Sequence, residues 1–326
     1  MLTKAVLALV GLLVLVAGIL TLGPREPVDE TITFDPGSLN GDLDDYLANS
    51  EKSVANLNPG AAKHIIWRDK HSRQPTPLSL IYLHGFSATL EETRPLADLM
   101  AESLDANLFY TRLRGHGRDG AAMAEPTVND WYNDTVEALE IGRKIGRKVV
   151  VIAVSTGATF ATWAATKPAL MKDVAGVVLI SPNYGVNNSA SALLTLGAAR
   201  YWVPVIAGKQ RSFETSSAEH EKWWTSSYPT VALLPMMASV EHSHQLSVEQ
   251  IGVPALFIYH PDDAVVRSDV SKSFAQRWGA KTNATATTFE VSQAEDPFNH
   301  VIAGRILSPS NSAPLADVAI EWINGL

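Results

Sequence analysis

The chain of 326 residues contains no cysteine. That excludes a disulfide scaffold, a thiol nucleophile, zinc–thiolate sites and iron–sulfur clusters. It has no block of basic residues either. Lys and Arg number 26 against 34 Asp and Glu, for a formal net charge of −8. A nucleic-acid partner is therefore not expected. Charged residues make up only 18% and hydrophobic ones 46%, enough core for one large domain or two modest ones. The 18 Pro and 21 Gly are ordinary and exclude a collagen-like or disordered chain. No internal repeat is present, and no glycine-rich loop of the phosphate-cradling kind follows a strand.

One apolar run stands out. Ala5 to Leu22 carries no charge. Eighteen helical residues span about 27 Å, close to the hydrocarbon thickness of a bilayer. Lys4 precedes the run, and Arg25, Glu26, Asp29 and Glu30 follow it. Positive charge dominates only on the N-terminal side, which keeps that end in the cytoplasm. Val16-Ala17-Gly18 is a passable signal cleavage site, but the run continues past it through Ile19-Leu20. Residues 1–24 are therefore read as a membrane anchor, with a cleaved signal as the alternative. Both put the rest of the chain outside the cytoplasm, on the periplasmic or extracellular side.

Residues 25–62 read as a tether and a small packing element, with one weak helix near Leu39 to Leu47. Beyond it, apolar runs alternate with helical patterns. The predicted strands are His64–Trp67, Leu80–Leu83, Leu108–Tyr110, Val149–Val154, Val177–Ile180, Ala255–Tyr259 and Thr287–Val291. Most are continuously apolar, as in strands buried on both faces. The predicted helices are Leu90–Leu104, Val128–Ile145, Thr156–Ala165, Ser268–Trp278 and Leu315–Ile323. The expected fold is α/β, a mostly parallel sheet flanked by helices and built from residues 63–182 and 246–326. Residues 183–245 break the alternation with no clear strand and many aromatics. They are expected to form an inserted helical cap.

The strand ending in Ala153-Val154 runs directly into Ser155-Thr156-Gly157 and then a helix of small residues. A serine on so tight a turn stands clear of the sheet, at a helix N-terminus. Ser155 is the candidate nucleophile. Its oxyanion donors are expected to be the backbone N–H of Thr156 and that of Phe86. Phe86 lies in the loop after Leu80–Leu83, where His84-Gly85 ends the strand. With a nucleophile on such an elbow, the partners follow in the order Ser, Asp or Glu, His. That order leaves His300, after the last strand, as the base. Two adjacent carboxylates, Asp262 and Asp263, follow Ala255–Tyr259 and compete to orient it. Asp263 directly precedes Ala-Val-Val, which can anchor the loop and hold the acid.

His84-Gly85-Phe86, Arg114-Gly115-His116-Gly117, the elbow at Ser155, Asp263-Ala-Val-Val and His300 occur in the order found in the α/β-hydrolase family. From about His64 onward the chain resembles the branch containing monoacylglycerol lipases, lysophospholipases and serine carboxylesterases. It departs from the usual G-x-S-x-G in having Ala153 first. The resemblance adds weight to Asp263 over Asp262 and implies a structural His116. It also implies that the insertion forms a lid over an acyl site. Trp202, Phe213, Trp223 and Trp224 are the candidates to line that site, since so many large apolar groups are too costly to leave in water.

The expected activity is hydrolysis of carboxylic esters, of small molecules or lipids, through Ser155, His300 and Asp263, with no cofactor and no metal. His242 and His244 point apart on a helix and make no metal site. The same triad would also serve an amidase or peptidase. A non-catalytic lipid-binding protein on this scaffold is the alternative from another class.

Overall fold

The computed structural model describes residues 2–326. The apolar run forms helix α1 (Leu2–Leu22), with no buried residue. It is long and apolar enough to cross a membrane. In the tether, Asp42 caps α2 (Leu43–Lys52) by accepting the Asp45 N–H, and Asp44 and Asp45 sit in its first turn. Asn40-Gly41 stands before that cap, so the helix starts later than the predicted Leu39.

The remaining elements are β1 (His64–Ile66), β2 (Thr76–Leu83), α3 (Leu96–Ser103), β3 (Asn107–Tyr110), α4 (Val128–Ile145), β4 (Gly146–Val154), α5 (Thr156–Ala165), β5 (Val174–Ile180), α6 (Ala199–Ile206), β6 (Gln210–Ser212), α7 (Ala218–Trp223), β7 (Ser227–Pro229), α8 (Leu233–Ser243), β8 (Ala255–Tyr259), α9 (Ser268–Arg277), β9 (Ala286–Glu290) and α10 (Ser312–Asn324). Among the described residues seven strands form one sheet in the order β1-β3-β2-β4-β5-β8-β9. Only β1 runs antiparallel to its neighbour.

The lack of alternation in the strands has a direct cause. Leu80, Tyr82, Val150, Ile152, Val178, Ile180, Leu256 and Ile258 face one apolar layer, which includes residues of α3 and α10. Ile81, Leu83, Val149, Val151, Ala153, Val177, Leu179 and Phe257 face the other, with α4, α5, α8 and α9. Side chains alternate between two dry faces, so both sets must be apolar. Phe109, Phe160, Phe257 and Phe274 are fully buried, each stabilising the fold by about 1.5–3 kcal/mol. Edge strand β9 pairs on one side only and is mostly exposed, which suits its threonines.

The predicted helix Leu90–Leu104 is shorter in the structure. Pro95 is the N-cap of α3, and residues 90–94 form an irregular loop packed near the site. Pro95 lacks the N–H that a helix interior requires. The segment 183–245 holds more than helices, because β6 and β7, on either side of α7, pair as a short antiparallel ribbon. Its last helix, α8, lies against α5 and α4 in the layer that covers the sheet.

Candidate active site

Strand β4 ends at Val154, and α5 begins at Thr156 with no intervening loop. Ser155 alone makes the turn, with φ 50° and ψ −115°. This is a strained conformation for a residue with a side chain. The strand and helix approach so closely that a Cβ on Gly157 would lie 2.5 Å from the Leu83 carbonyl oxygen and 2.6 Å from that of His84. The usual first glycine is replaced without conflict, since Ala153 packs fully buried opposite Leu83.

His300 Nε2 lies 3.1 Å from Ser155 Oγ, and His300 Nδ1 lies 2.8 Å from Asp263 Oδ2. The second oxygen of Asp263 accepts the N–H groups of Val265 and Val266, both at 2.8 Å. The carboxylate is thus fixed at both ends, and the Ala-Val-Val segment is what fixes it. Asp262 is exposed, and its side chain makes no contact with the ring. Burial disfavours the His300 cation, but the surrounding carboxylates, Asp263 foremost with Glu92 and Asp296, together outweigh it, and the imidazole pKa lies above its ordinary value. Ser155, Asp263 and His300 are all at least nine-tenths buried.

Phe86 and Thr156 flank the serine from two elements. Among the described residues, neither backbone N–H has a hydrogen-bond partner. The Thr156 N–H also sits at the positive end of α5. Gly85 permits the approach of the loop. A Cβ there would lie 3.0 Å from Ser155 Cβ and 2.5 Å from Glu92 Oε1. Two such N–H groups beside a serine oxygen suit a carbonyl oxygen that gains negative charge.

Glu92, Asp296 and Ser181 have no signature in the sequence. Glu92 is fully buried, and its carboxylate accepts the Gly85 N–H at 2.6 Å. Burial pushes its pKa up to about 7, although the Gly85 bond and the nearby His300 act the other way. Asp296 Oδ2 accepts the N–H groups of His300 and Val301 at 3.0 and 2.9 Å, pinning the histidine's backbone rather than its ring. Ser181 Oγ donates to the His300 carbonyl at 2.7 Å. His84 ties the Phe86 loop to the Arg-Gly-His-Gly segment. Its Nε2 accepts the Leu113 N–H, so Nδ1 carries the proton and donates to the Gly85 carbonyl. Burial lowers its pKa to about 4, keeping it neutral. His116 packs in the interior against His84, Phe86 and Trp131.

The four aromatics of the insertion fall in two places. Phe213 packs on the cluster of Met123 and Tyr228, which also takes Phe86 of the loop beside Ser155, and on the cluster that holds Trp223 and Trp224. Trp223 and Trp224 pack with Ala88 and Val301, the neighbour of His300. Trp202 lies elsewhere, among Ala199, Val203 and Leu234. Tyr228, singled out by no motif, meets Phe86 edge-to-face at 5.4 Å. The insertion is tied to the core by the Thr225 N–H, which donates to the Ser87 carbonyl at 2.7 Å. A cleft of about 690 Å³ opens between the tether, α2, α4 and the Arg114-Gly115 segment, and none of the four aromatics lines it.

A mostly parallel sheet flanked by helices, with a serine elbow after its central strand, defines an α/β-hydrolase. Residues 75–291 match the family described as serine aminopeptidase, S33, and the chain belongs to that family of hydrolases. A thermostable monoacylglycerol lipase of Bacillus sp. (strain H-257) is 24% identical over 190 residues, 58% of this chain and 72% of that protein. Among solved structures, a metagenome-derived lipolytic enzyme described in work on LipS and LipT superposes with TM-score 0.66 at 19% identity, over 83% of this chain and 100% of the other. A soluble variant of monoglyceride lipase from Saccharomyces cerevisiae superposes with TM-score 0.61 at 10% identity, over 81% and 90%.

Proposed function

We propose that the protein is a serine carboxylic-ester hydrolase acting on acyl esters, lipid esters among them. The observation that carries this reading is the continuous hydrogen-bonded line from Ser155 through His300 to Asp263, beside two free N–H donors. Ser155 attacks the ester carbonyl while His300 Nε2 takes its proton. The N–H groups of Phe86 and Thr156 hold the oxyanion, each donor being worth roughly 3–4 kcal/mol in comparable sites. His300 then protonates the leaving alcohol, and Asp263 stabilises the imidazolium. Water hydrolyses the acyl-enzyme by the same route in reverse. No step calls for a cofactor.

Phe213 and Tyr228 supply the apolar wall beside the Phe86 loop, and residues 183–232 act as a lid. The lipase relatives favour an ester substrate, whereas the family description points to peptides. A panel of p-nitrophenyl esters and monoacylglycerols beside amino-acid p-nitroanilides decides between them. Turnover of esters with little on anilides is expected. The reverse preference would make the protein a peptidase.

We read α1 as an uncleaved anchor with Lys4 on the cytoplasmic side and the hydrolase outside. Supporting this, no side chain described in α1 is buried in the folded domain. Detergent-dependent extraction of a full-length chain is expected. A soluble form beginning near Ile19 would leave export and remove the anchor.

A further inference from the structure

The C-terminal end of α1 is joined to the insertion by backbone. The Gly197 N–H donates to the Leu20 carbonyl at 2.7 Å, and the Ala198 N–H donates to the Pro24 carbonyl at 2.7 Å. The last carbonyls of a helix have no partner within it, so the insertion caps α1. The two backbones are in close approach. A Cβ on Gly197 would lie 2.5 Å from the Ile19 carbonyl oxygen and 2.8 Å from Gly23 N. Arg200 adds an ion pair with Glu26.

Helix α6 begins directly after this clamp, at Ala199. Its inner stripe, Ala199 and Val203, packs on Leu234, with Trp202 beside it. Its outer stripe is apolar and bare. Tyr201 is 73% exposed, Val205 82% and Ile206 77%, and Leu193 in the preceding turn is 50% exposed. Tyr201 and Val205 are four apart and share a face, with Ile206 adjoining. Lys209 and Arg211 follow at once, both exposed. A short helix with an aromatic and two aliphatics on one side and cations at its end has the chemistry of a membrane–water interface.

We propose that α6 lies in the surface of the bilayer that α1 spans, so that the insertion, which also carries Phe213 and Tyr228, is held against the lipid. This rests on the reading of α1 as a membrane anchor. The position follows from the clamp. Gly197 sits at the point where α1 leaves the hydrocarbon, and an eight-residue helix is only about 12 Å long. Every residue of α6 is therefore within that distance of the interface. Water is a poor environment for three adjacent large apolar groups, and the bilayer already beside them is a better one. Backbone hydrogen bonds at that depth have little water to compete with them, which strengthens the clamp. The consequence for function is that an ester drawn from the membrane meets the lid without crossing bulk water.

The absence of cysteine makes the test direct. Single cysteines are introduced as Tyr201→Cys, Val205→Cys and Ile206→Cys, each labelled with an environment-sensitive fluorophore. Leu13→Cys reports on α1. Lys281→Cys, exposed just before β9 at the N-terminal edge of the sheet, reports on water. The full chain is reconstituted in phosphatidylcholine–phosphatidylglycerol vesicles carrying a nitroxide either near the headgroup or deep in the acyl chain. The α6 labels should be quenched several-fold more by the shallow nitroxide than the Lys281 label, and be protected from aqueous iodide. The Leu13 label should be quenched by the deep nitroxide. Adding Gly197→Ala should reduce quenching at α6 while leaving that of Leu13 intact. If the α6 labels behave like Lys281 while Leu13 is quenched, the anchor stands and the proposal falls. If they are protected from iodide yet unquenched by lipid, a protein face covers them and the proposal falls. If Leu13 is not quenched, the anchor reading fails and the proposal with it.

Discussion

Replacing Asp263 with asparagine isolates what the carboxylate does, because the structure dictates how the amide must sit. Asp263 Oδ1 accepts two backbone N–H groups, from Val265 and Val266, each at 2.8 Å. Only the amide oxygen can take that place, since turning it would set an NH2 against two donors. The NH2 must then face His300 Nδ1, which lies 2.8 Å from the other carboxylate oxygen. A donor there forces Nδ1 to be the acceptor and moves the ring proton to Nε2. Nε2 would then present a proton to Ser155 Oγ, 3.1 Å away, and have no lone pair to receive one. In Ser-His-Asp sites this change costs about 10⁴-fold in kcat, or about 5 kcal/mol of barrier. The loop keeps its hydrogen bonds, so the fold should be retained; alanine would orphan both N–H groups and confuse the result. The assay is kcat on one activated ester at pH 8, with a thermal melt of each variant. Asp262→Asn is the control, an exposed change expected to stay within about twofold. An Asp263→Asn enzyme within about tenfold of the native rate would refute the assignment of the acid.

Three further outcomes follow from neighbouring contacts. Neutral His300 is the base and its pKa is raised, so the acidic limb of kcat/KM should lie above the ordinary histidine range. The Glu92 charge contributes to that rise, so Glu92→Gln disfavours the imidazolium and should move the limb to lower pH; a limb that stays or rises would contradict this. Gly157→Ala places a Cβ against the carbonyl oxygens of Leu83 and His84, backbone atoms that cannot turn aside. It should cost about 1–3 kcal/mol of stability or more in a denaturant titration, and an unchanged midpoint would show that the elbow has room for a methyl group. Phe213→Ala should change acyl-chain preference on an ester series, whereas Trp202→Ala, in a cluster that does not include Phe86, should lower the melting temperature without changing that preference. Equal effects on preference would remove the distinction between them.

The buried parallel sheet was legible because its strands are dry on both faces, and a continuously apolar run as short as Val149–Val154 suits a buried strand better than a helix. Helix α4 was legible to the residue. Thr127 and Asp130 form a reciprocal capping box at its start, and Gly146 follows its end. The Ser155 elbow was legible because strand, serine and helix are contiguous in the chain. The features that were not legible depend on contacts between distant segments. Leu90–Leu104 carries helical spacing, but Glu92 turns inward to the Gly85 N–H and Pro95 delays the helix to Leu96. The β6–β7 ribbon pairs two three-residue strands with little apolar content, too short to give a period. Asp296 resembles any loop acid, because its role is to accept two N–H groups four and five residues along. The aromatics of the insertion were visible as a group. Their division between the Phe86 loop, the His300 neighbourhood and α6 is set by packing alone.

The central claim is that Ser155 is the nucleophile of an ester hydrolase. A fluorophosphonate tests it most directly, because it reacts covalently only with a serine whose oxygen is activated and whose oxyanion is held. The native chain should take up one equivalent, mass spectrometry should place the adduct on Ser155, and esterase activity should fall in proportion to labelling. Ser155→Ala, still folded, should take up none and hydrolyse no ester. Labelling of a different serine, or full activity remaining after Ser155 is completely modified, would contradict the claim.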